Sequence, residues 1–369
     1  MTDAAPRHGL DPYLDWLASE GASRIEAGYA ADLHAVETAL WPRFGMKGAA
    51  VHLTGRGDFC SLFVFDVEPG GSSAPSRHLY EQMIYVQEGE GSTQVEFADG
   101  SKRSFEWGEN AMFAIPINVA YRHFNSSGRQ RARIACVNNM PLLMNLFHNE
   151  RFIFQSDHEF VERAGRRGYF SGEGDFVPIR PGNHLWETNF VPDLAAVELH
   201  AYADRGGGSS NIKFVLADGV MSGHMSEMPA GTYKKAHRHG PGTHVFTVTG
   251  HGYSLLWNEG DKDFERIDWR HGVVFPPCEG QIHQHFNLSA QPSRYLAIGF
   301  GNVRYPFTRQ KRNTMIGEGG GRKQKSSLSI REGGHQIEYT DQDPRIHALW
   351  LEEMRKAGVE ARMEKYVAG

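Results

Sequence analysis

The chain is written twice. His78 and His239, Gly89 and Gly250, and Gly91 and Gly252 stand 161 residues apart. Trp107 and Trp269, Phe113 and Phe275, His123 and His285, Phe124 and Phe286, and Asn125 and Asn287 stand 162 apart, so one inserted residue reconciles the two sets. A chain of 369 residues has room for two domains that each bury a core. The offset makes those two domains copies of one unit.

The unit itself is all-β. Short runs rich in β-branched and aromatic residues, at 58–67, 79–87, 92–97, 102–107, 112–115, 121–125 and 131–137, lie between glycines and read as strands. The spacing divides the chain into a helical N-terminal arm (1–49), a first β domain (50–148), a connector (149–195), a second β domain (196–305) and a C-terminal tail (306–369). In the arm, Leu10, Tyr13, Leu14 and Leu17 recur at helix spacing behind an Asp11-Pro12 start, and a second helix is expected over 26–40, ending before Pro42. The connector carries Phe152, Phe154, Tyr169, Phe170, Phe176 and Trp186, read as its anchors. After a glycine-rich break at 317–321, a closing helix is expected from Pro344 to about residue 365, capped by Asp343, with Ile346, Leu349, Trp350 and Met354 as its buried stripe.

Five histidines fall in two clusters of the second unit: His237, His239 and His244, then His283 and His285. Residues two apart on a strand point the same way, so two such strands inside a barrel bring three or four imidazoles to one point. Neutral imidazole suits Zn, Fe, Ni, Cu and Mn, and a three-nitrogen set leaves positions for substrate or oxygen. The repeat sorts these residues. Ser76 stands opposite His237 and Tyr121 opposite His283, so only the later copy has His237, His239 and His283 together. His285 and Asn287 keep counterparts, His123 and Asn125, in the copy without the other ligands, which favours a supporting role over ligation, with a catalytic role as the alternative. In the first copy His78, Glu81 and His123 form a weaker site only if the register shifts. His244 is a candidate fourth ligand if a bulge turns it inward. Lys235 shares parity with His237 and is a candidate for an anionic substrate. His224, Tyr253 and Trp257 are candidate pocket lining, whereas His200, His251 and His271 read as ordinary strand histidines.

Gly231-x5-His237-x-His239, Gly250-x-Gly252 and Pro276-Pro277-x-x-Gly280-x-x-His283-x3-Asn287 resemble the two motifs of the cupin superfamily. Thr243 stands where the cupin pattern usually has glutamate, and a three-histidine cupin without that carboxylate is similar to gentisate 1,2-dioxygenase-like bicupins. The resemblance implies two tandem cupin barrels (double-stranded β-helix, jelly-roll) with helical N- and C-terminal arms. It implies one divalent metal, Fe2+ first with Mn, Ni or Zn as alternatives, and O2-dependent cleavage of a C–C bond in a small hydroxy-aromatic or dicarbonyl-like substrate. It also implies a homodimer. The rival expectations are a redox-neutral isomerase or decarboxylase, and a non-catalytic metal- or sugar-binding cupin.

Bulk properties exclude other classes. The formal charge is −5 and no long Lys/Arg run occurs, so the footprint of a nucleic-acid binder is missing, and Arg322-Lys323-Gln324-Lys325 reads as a solvated loop tip. No apolar run approaches the ~20 residues of a spanning helix. Cys60, Cys136 and Cys278 are too widely spaced for a disulfide framework or a C-x-x-C pair, which points to a reducing, cytoplasmic setting. Cys278 reads as a small apolar residue at the barrel mouth.

Overall fold

Each copy of the repeat folds as a β-sandwich of one large and one small sheet. The structure, a computed structural model, describes residues 10–164, 166–180, 183–240, 242–307 and 325–367. In the first domain the large sheet runs Ser23–Glu26, Met46–His52, Ser61–Val67, Ala132–Asn138, Gln82–Glu88, Met112–Phe113, Phe190–Val191, and the small sheet runs Ala120–Asn125, Gly91–Glu96, Lys102–Trp107. In the second domain the large sheet includes Ser210–Leu216, Met221–Met228, Ser293–Phe300, His244–Thr249 and Val273–Phe275, and the small sheet runs Glu265–Arg270, His251–Trp257, Ile282–Asn287, Ala236–His237, Gln336–Ile337. The expected first-domain strands appear within a few residues of their anticipated ends.

The repeat is kept down to single contacts. Gly91 pairs with Trp107 and Gly252 with Trp269, each glycine lying under the indole it faces. A Cβ on Gly91 would come 2.1 Å from the Phe124 carbonyl oxygen, and one on Gly252 2.0 Å from that of Phe286. No larger residue fits there without moving backbone.

The two large sheets pack back to back. Ser61–Val67 is buried along its whole length, which is why its sequence is a continuous apolar run rather than an alternating one. Phe63 and Phe65 face the first domain's own core, while Leu62 and Val64 join Met83, Tyr85, Phe214, Met225, Phe246 and Leu296 in a layer shared by both domains. Tyr85 and Phe246 meet edge-on across it at 5.6 Å.

The N-terminal arm departs from expectation. Pro12–Ser19 is helical, with Asp11 accepting from the Leu14 amide, but residues 26–40 are not a helix. Gly21 and Gly28 both take positive φ, and the chain between and beyond them extends as edge strands instead. Ser23–Glu26 pairs parallel with Ala49–His52 of the first domain, and Ala31–Asp32 pairs with Val273 and Val274 of the second. Ladder hydrogen bonds and edge protection from both domains outweigh the weak local helix preference. Buried Arg133 pins this crossing, donating to both carboxylate oxygens of Asp66 at 2.7 Å and to the carbonyls of Leu33 and His34.

The connector is structured. Phe190–Val191 adds to the first domain's large sheet, while Asp175–Arg180 and Asn183–Thr188 add to the second's. Phe170 is an anchor, stacked on Phe105, and Phe154 packs against Trp16 and Tyr80. Phe152 and Phe176 are about half exposed, the first meeting Phe147 and the second Trp186. The glycine-rich break at 317–321 lies outside the described residues. The closing helix is Pro344–Ala357, capped by Asp343 and stopped by Gly358 in the left-handed region. It ends earlier than expected because that glycine terminates it. Ile346, Trp350 and Met354 are buried against Tyr233, Tyr253 and Phe286, on the outer face of the second domain's small sheet. No helix among the described residues is long and apolar enough to cross a membrane.

Candidate metal centre

Ala236–His237 is a two-residue strand, and its His237 sits directly across from His283. Their ring centres are 4.3 Å apart, and His239, two residues beyond His237 and past the end of the strand, lies 4.7 Å from His283. One ligand nitrogen from each of His237, His239 and His283 falls within 4.8 Å of the others, and this is the one such group of His, Cys, Asp or Glu among the described residues.

The hydrogen bonds fix which nitrogen is available. His239 Nδ1 meets the Gly240 carbonyl at 2.8 Å and His283 Nδ1 meets the Gln281 carbonyl at 3.2 Å. A carbonyl only accepts, so both rings carry their proton on Nδ1 and their lone pair on Nε2. His237 is buried with its Nδ1 unpartnered. Burial, then the charge of Arg205 and the neighbouring imidazoles, holds His237 far below the usual histidine range. Burial, then His239 and His285, does the same for His283. These rings are neutral at pH 7. Three convergent imidazole nitrogens, with His237 Nδ1 unpartnered, fit a divalent transition metal.

His285 lies in the same chamber, 5.5 Å from His283 between ring centres, but its role differs. Its Nδ1 is 2.7 Å from Ser254 Oγ, which also accepts the Trp269 indole N–H at 3.0 Å. The bond orients the ring, and His285 stands outside the group of three converging nitrogens. Burial lowers its pKa to about 3. Asn287, a candidate catalytic group from sequence, is instead committed to backbone. It donates to the carbonyls of Met228, Pro229 and Gln291 and accepts from the Ser289 amide. Asn125 does the same with Val67, Gln130 and Ser127, which identifies a turn lock common to both copies.

The first domain keeps the register without the ligands. Ser76 bridges to Tyr121 as His237 does to His283. The Tyr121 hydroxyl fills the place, 2.9 Å from His78 Nε2 and 3.0 Å from Gln82 Nε2. Glu81 turns away to Arg163 and the Val220 amide, and His123 bonds Thr93. The weaker site of His78, Glu81 and His123 therefore does not assemble.

Several other expectations are corrected. His244 is wholly buried but shares its strand face with Phe246 and Val248, in the layer between domains, whereas Val245 faces the interior. The bulge in its strand falls after Thr247, too late to turn it inward, so it is no fourth ligand. Tyr253 stacks on Phe286 at 4.6 Å and Trp257 packs on Phe264, both beneath the closing helix and outside the chamber. Lys235 points outward to Glu338 at 2.5 Å. The chain is irregular over residues 233–235, with the Lys234 amide on the His285 carbonyl and the Lys235 amide on that of Arg205, so strand parity counted back from His237 fails. His224 does share a strand face with Ser226 and Met228, lies 6.2 Å from Tyr295, and is held far below its usual pKa by burial and then by Lys213, Lys234 and Arg205.

Sequence reasoning missed Lys234, Ser226 and Tyr295. Lys234 is wholly buried, with Nζ 2.5 Å from Ser226 Oγ and 3.1 Å from the Tyr295 hydroxyl. Tyr295 in turn lies 5.1 Å from the His285 ring. The adjacent pair Lys234-Lys235 marked the place, but nothing in its sequence says which lysine enters.

Residues 58–164 match the family model described as Cupin. A comparison with curated proteins found no match. Among solved structures, the chain is similar to an oxalate decarboxylase from Lactobacillus farciminis in complex with formate, at 12% identity and TM-score 0.48, covering 74% of this chain and 86% of that one. It is similar to the Bacillus subtilis oxalate decarboxylase with Mn(II) centres, at 13% identity and TM-score 0.48, covering 82% and 85%. It is also similar to vicilin from hazelnut, Corylus avellana, at 11% identity and TM-score 0.46, covering 74% and 86%. With the matched stretch in the first copy and the same strands and contacts repeated in the second, the chain folds as a bicupin: all-β, two tandem jelly-roll domains, with helices at both ends.

Proposed function

We propose that the second domain is a metal-dependent catalytic site in which His237, His239 and His283 hold one divalent transition metal, Fe2+ in this reading. The reaction proposed is dioxygenation: a carbon–carbon bond of a small hydroxy-aromatic or dicarbonyl-like substrate is cleaved and both atoms of O2 enter the product. One observation carries the reading, the convergence of three ligand nitrogens within 4.8 Å with no carboxylate in the set. When bound, the metal supplies Lewis acidity and, as Fe2+, access to dioxygen chemistry. Three neutral donors leave its charge to be met by substrate oxygens.

The chain's own residues do the remaining work. The Gly240 and Gln281 carbonyls orient His239 and His283. His285, oriented by Ser254, exchanges a proton with substrate. Phe275 and Trp269 line a small, mostly apolar cavity beside His285.

A second reading is favoured by a different observation. The Lys234–Tyr295 pair places two proton donors in the same chamber, which suits a redox-neutral decarboxylation or isomerisation that must deliver a proton to carbon. Metal analysis of the purified protein, then oxygen-electrode assays with hydroxylated aromatic acids and 1,3-dicarbonyls, separates the two. Stoichiometric iron with substrate-dependent O2 uptake supports dioxygenation. Turnover on Mn, Ni or Zn with no O2 uptake supports the redox-neutral reaction, and bound metal without turnover supports a binding protein. A homodimer is proposed alongside, to be checked by light scattering.

A further inference from the structure

The first domain holds none of the three converging histidines, yet it touches both loops that lead to His239 and His283. The turn that follows its strand Met46–His52 carries Gly55, which is buried against the second domain. The Gly55 carbonyl accepts the Gly242 amide at 3.1 Å, three residues beyond His239. A Cβ on Gly55 would come 2.0 Å from the Pro276 carbonyl oxygen and 2.8 Å from the carbonyl carbon of Pro277, on the approach to His283. Gly242 takes a φ of +80°, and a Cβ there would lie 2.7 Å from the Arg56 carbonyl oxygen. The two loops also bond each other, the Gly280 amide donating to the His239 carbonyl at 3.1 Å. Gly55 thus meets, in one place, the two loops whose Gly240 and Gln281 carbonyls orient the His239 and His283 rings.

The contact is reciprocal, and its mirror serves no ligand. The corresponding turn of the second domain joins Ser210–Leu216 to Met221–Met228. There the Val220 amide donates to Glu81 Oε2 at 2.6 Å, and a Cβ on Gly219 would lie 3.1 Å from the same oxygen. Glu81 stands 161 residues before Gly242, which is the offset of the repeat, so each domain's turn reaches the same place on the other. The turn that carries Gly55 is itself held on its far side. The Thr54 amide donates to the Gly28 carbonyl at 2.7 Å, and the Arg56 guanidinium donates to the carbonyls of Gly57 and Cys60 at 3.2 and 3.4 Å. A backbone fixed in this way transmits its position to what it touches, as the outer partners of metal ligands do.

We infer that Gly55 is a positioning residue for the metal centre: by holding Gly242 and seating against Pro276 and Pro277, it sets where the His239 and His283 rings present their nitrogens. The first domain then contributes to the second domain's site without binding metal. This rests on the metal-site reading above and adds a residue from outside the domain that carries the ligands. Co2+ is a suitable probe, because imidazoles bind it and its visible absorption reports the geometry of the ligands around it. Gly55→Ala should lower Co2+ affinity roughly ten- to a hundredfold, change the visible bands, and speed amide exchange over residues 239–244 and 278–283 in the metal-free protein. Gly219→Ala, which crowds the mirror contact, should leave the affinity, the bands and those amides as in the wild type. Arg56→Ala loosens the same turn with no atom added at Gly55. It should move all three readouts in the direction of Gly55→Ala by a smaller amount, and it decides the question if Gly55→Ala does not fold. Wild-type Co2+ affinity and bands in Gly55→Ala overturn the proposal. So does an equal loss in Gly219→Ala, which would make the effect one of general stability. A wild type that takes up no Co2+ sinks the metal reading alone, and exchange then decides the role of Gly55: unchanged exchange over 239–244 in Gly55→Ala overturns it.

Discussion

His285 and His123 occupy one position of the repeat and make the same bond: each Nδ1 meets a hydroxyl, Ser254 at 2.7 Å and Thr93 at 2.8 Å, that also takes an indole N–H, from Trp269 and Trp107. One of these rings stands beside three histidines and the other beside Tyr121, which takes the place of His283. The bond is therefore part of the domain's framework, present with or without the three converging histidines. Replacing either hydroxyl, by Ser254→Ala or Thr93→Val, leaves an imidazole nitrogen and an indole N–H buried without partners. Each should lower stability by about 1–3 kcal/mol, read from urea unfolding, and only Ser254→Ala should alter activity.

Metal content should follow the second domain alone. His237→Ala and His283→Ala should each lower metal affinity by on the order of 100-fold or more, with the far-UV spectrum unchanged. Ser76→Ala and Tyr121→Phe should leave metal content at the wild-type level, because the Tyr121 hydroxyl serves His78 and Gln82. Full metal retention after loss of both His237 and His283 would refute the placement.

Acid should destabilise the fold before carboxylates protonate. Burial holds His78 and His244 at about 4, and His123 and His285 at about 3, so all four stay neutral in the folded chain as pH falls through 6.5. The unfolded chain takes up those protons near pH 6.5. Stability is thus full above that pH and falls below it, by up to about 1.4 kcal/mol per pH unit for each histidine, until the folded pKa is reached. The urea midpoint should be flat from pH 8 to 7 and drop steeply from pH 6.5 to 5. His244→Phe should shallow that slope, and a midpoint unchanged at pH 5 would show that these rings are not held neutral.

The paired glycines should be equally intolerant in both copies. Gly91→Ala and Gly252→Ala each drive a Cβ to within about 2 Å of a carbonyl oxygen and against the facing indole. Each should cost roughly 1–3 kcal/mol or more through forced backbone shifts, seen as a lowered Tm. A neutral result at one site would mean that its hairpin can slide.

The closing helix supports the site from outside. Trp350 is fully buried, 5.0 Å from Tyr233, the residue before Lys234. Trp350→Ala should cost about 3–5 kcal/mol and raise amide exchange across 344–357 and 231–237, with little change around Ser76. Exchange confined to the helix would uncouple the two.

What the sequence by itself determined is whatever depends on local chemistry repeated at a fixed distance. The offset of 161 to 162 residues, the strand periodicity, the Asp343 cap and the pairing of His237, His239 and His283 were all legible, because side chains two apart on a strand must share a face. Comparing the copies also set His285 and Asn287 apart from the three histidines that converge. Only the tertiary structure decided the rest. It drew residues 26–40 out as edge strands across both domains, where ladder bonds outweigh helix preference. It turned His244, Tyr253 and Trp257 away from the chamber through sheet packing that strand counting does not contain. And it sent Lys234 inward in place of Lys235, because a break in strand regularity over residues 233–235 reverses every side chain before it, and such a break is set by the partners that the backbone finds, here the carbonyls of His285 and Arg205.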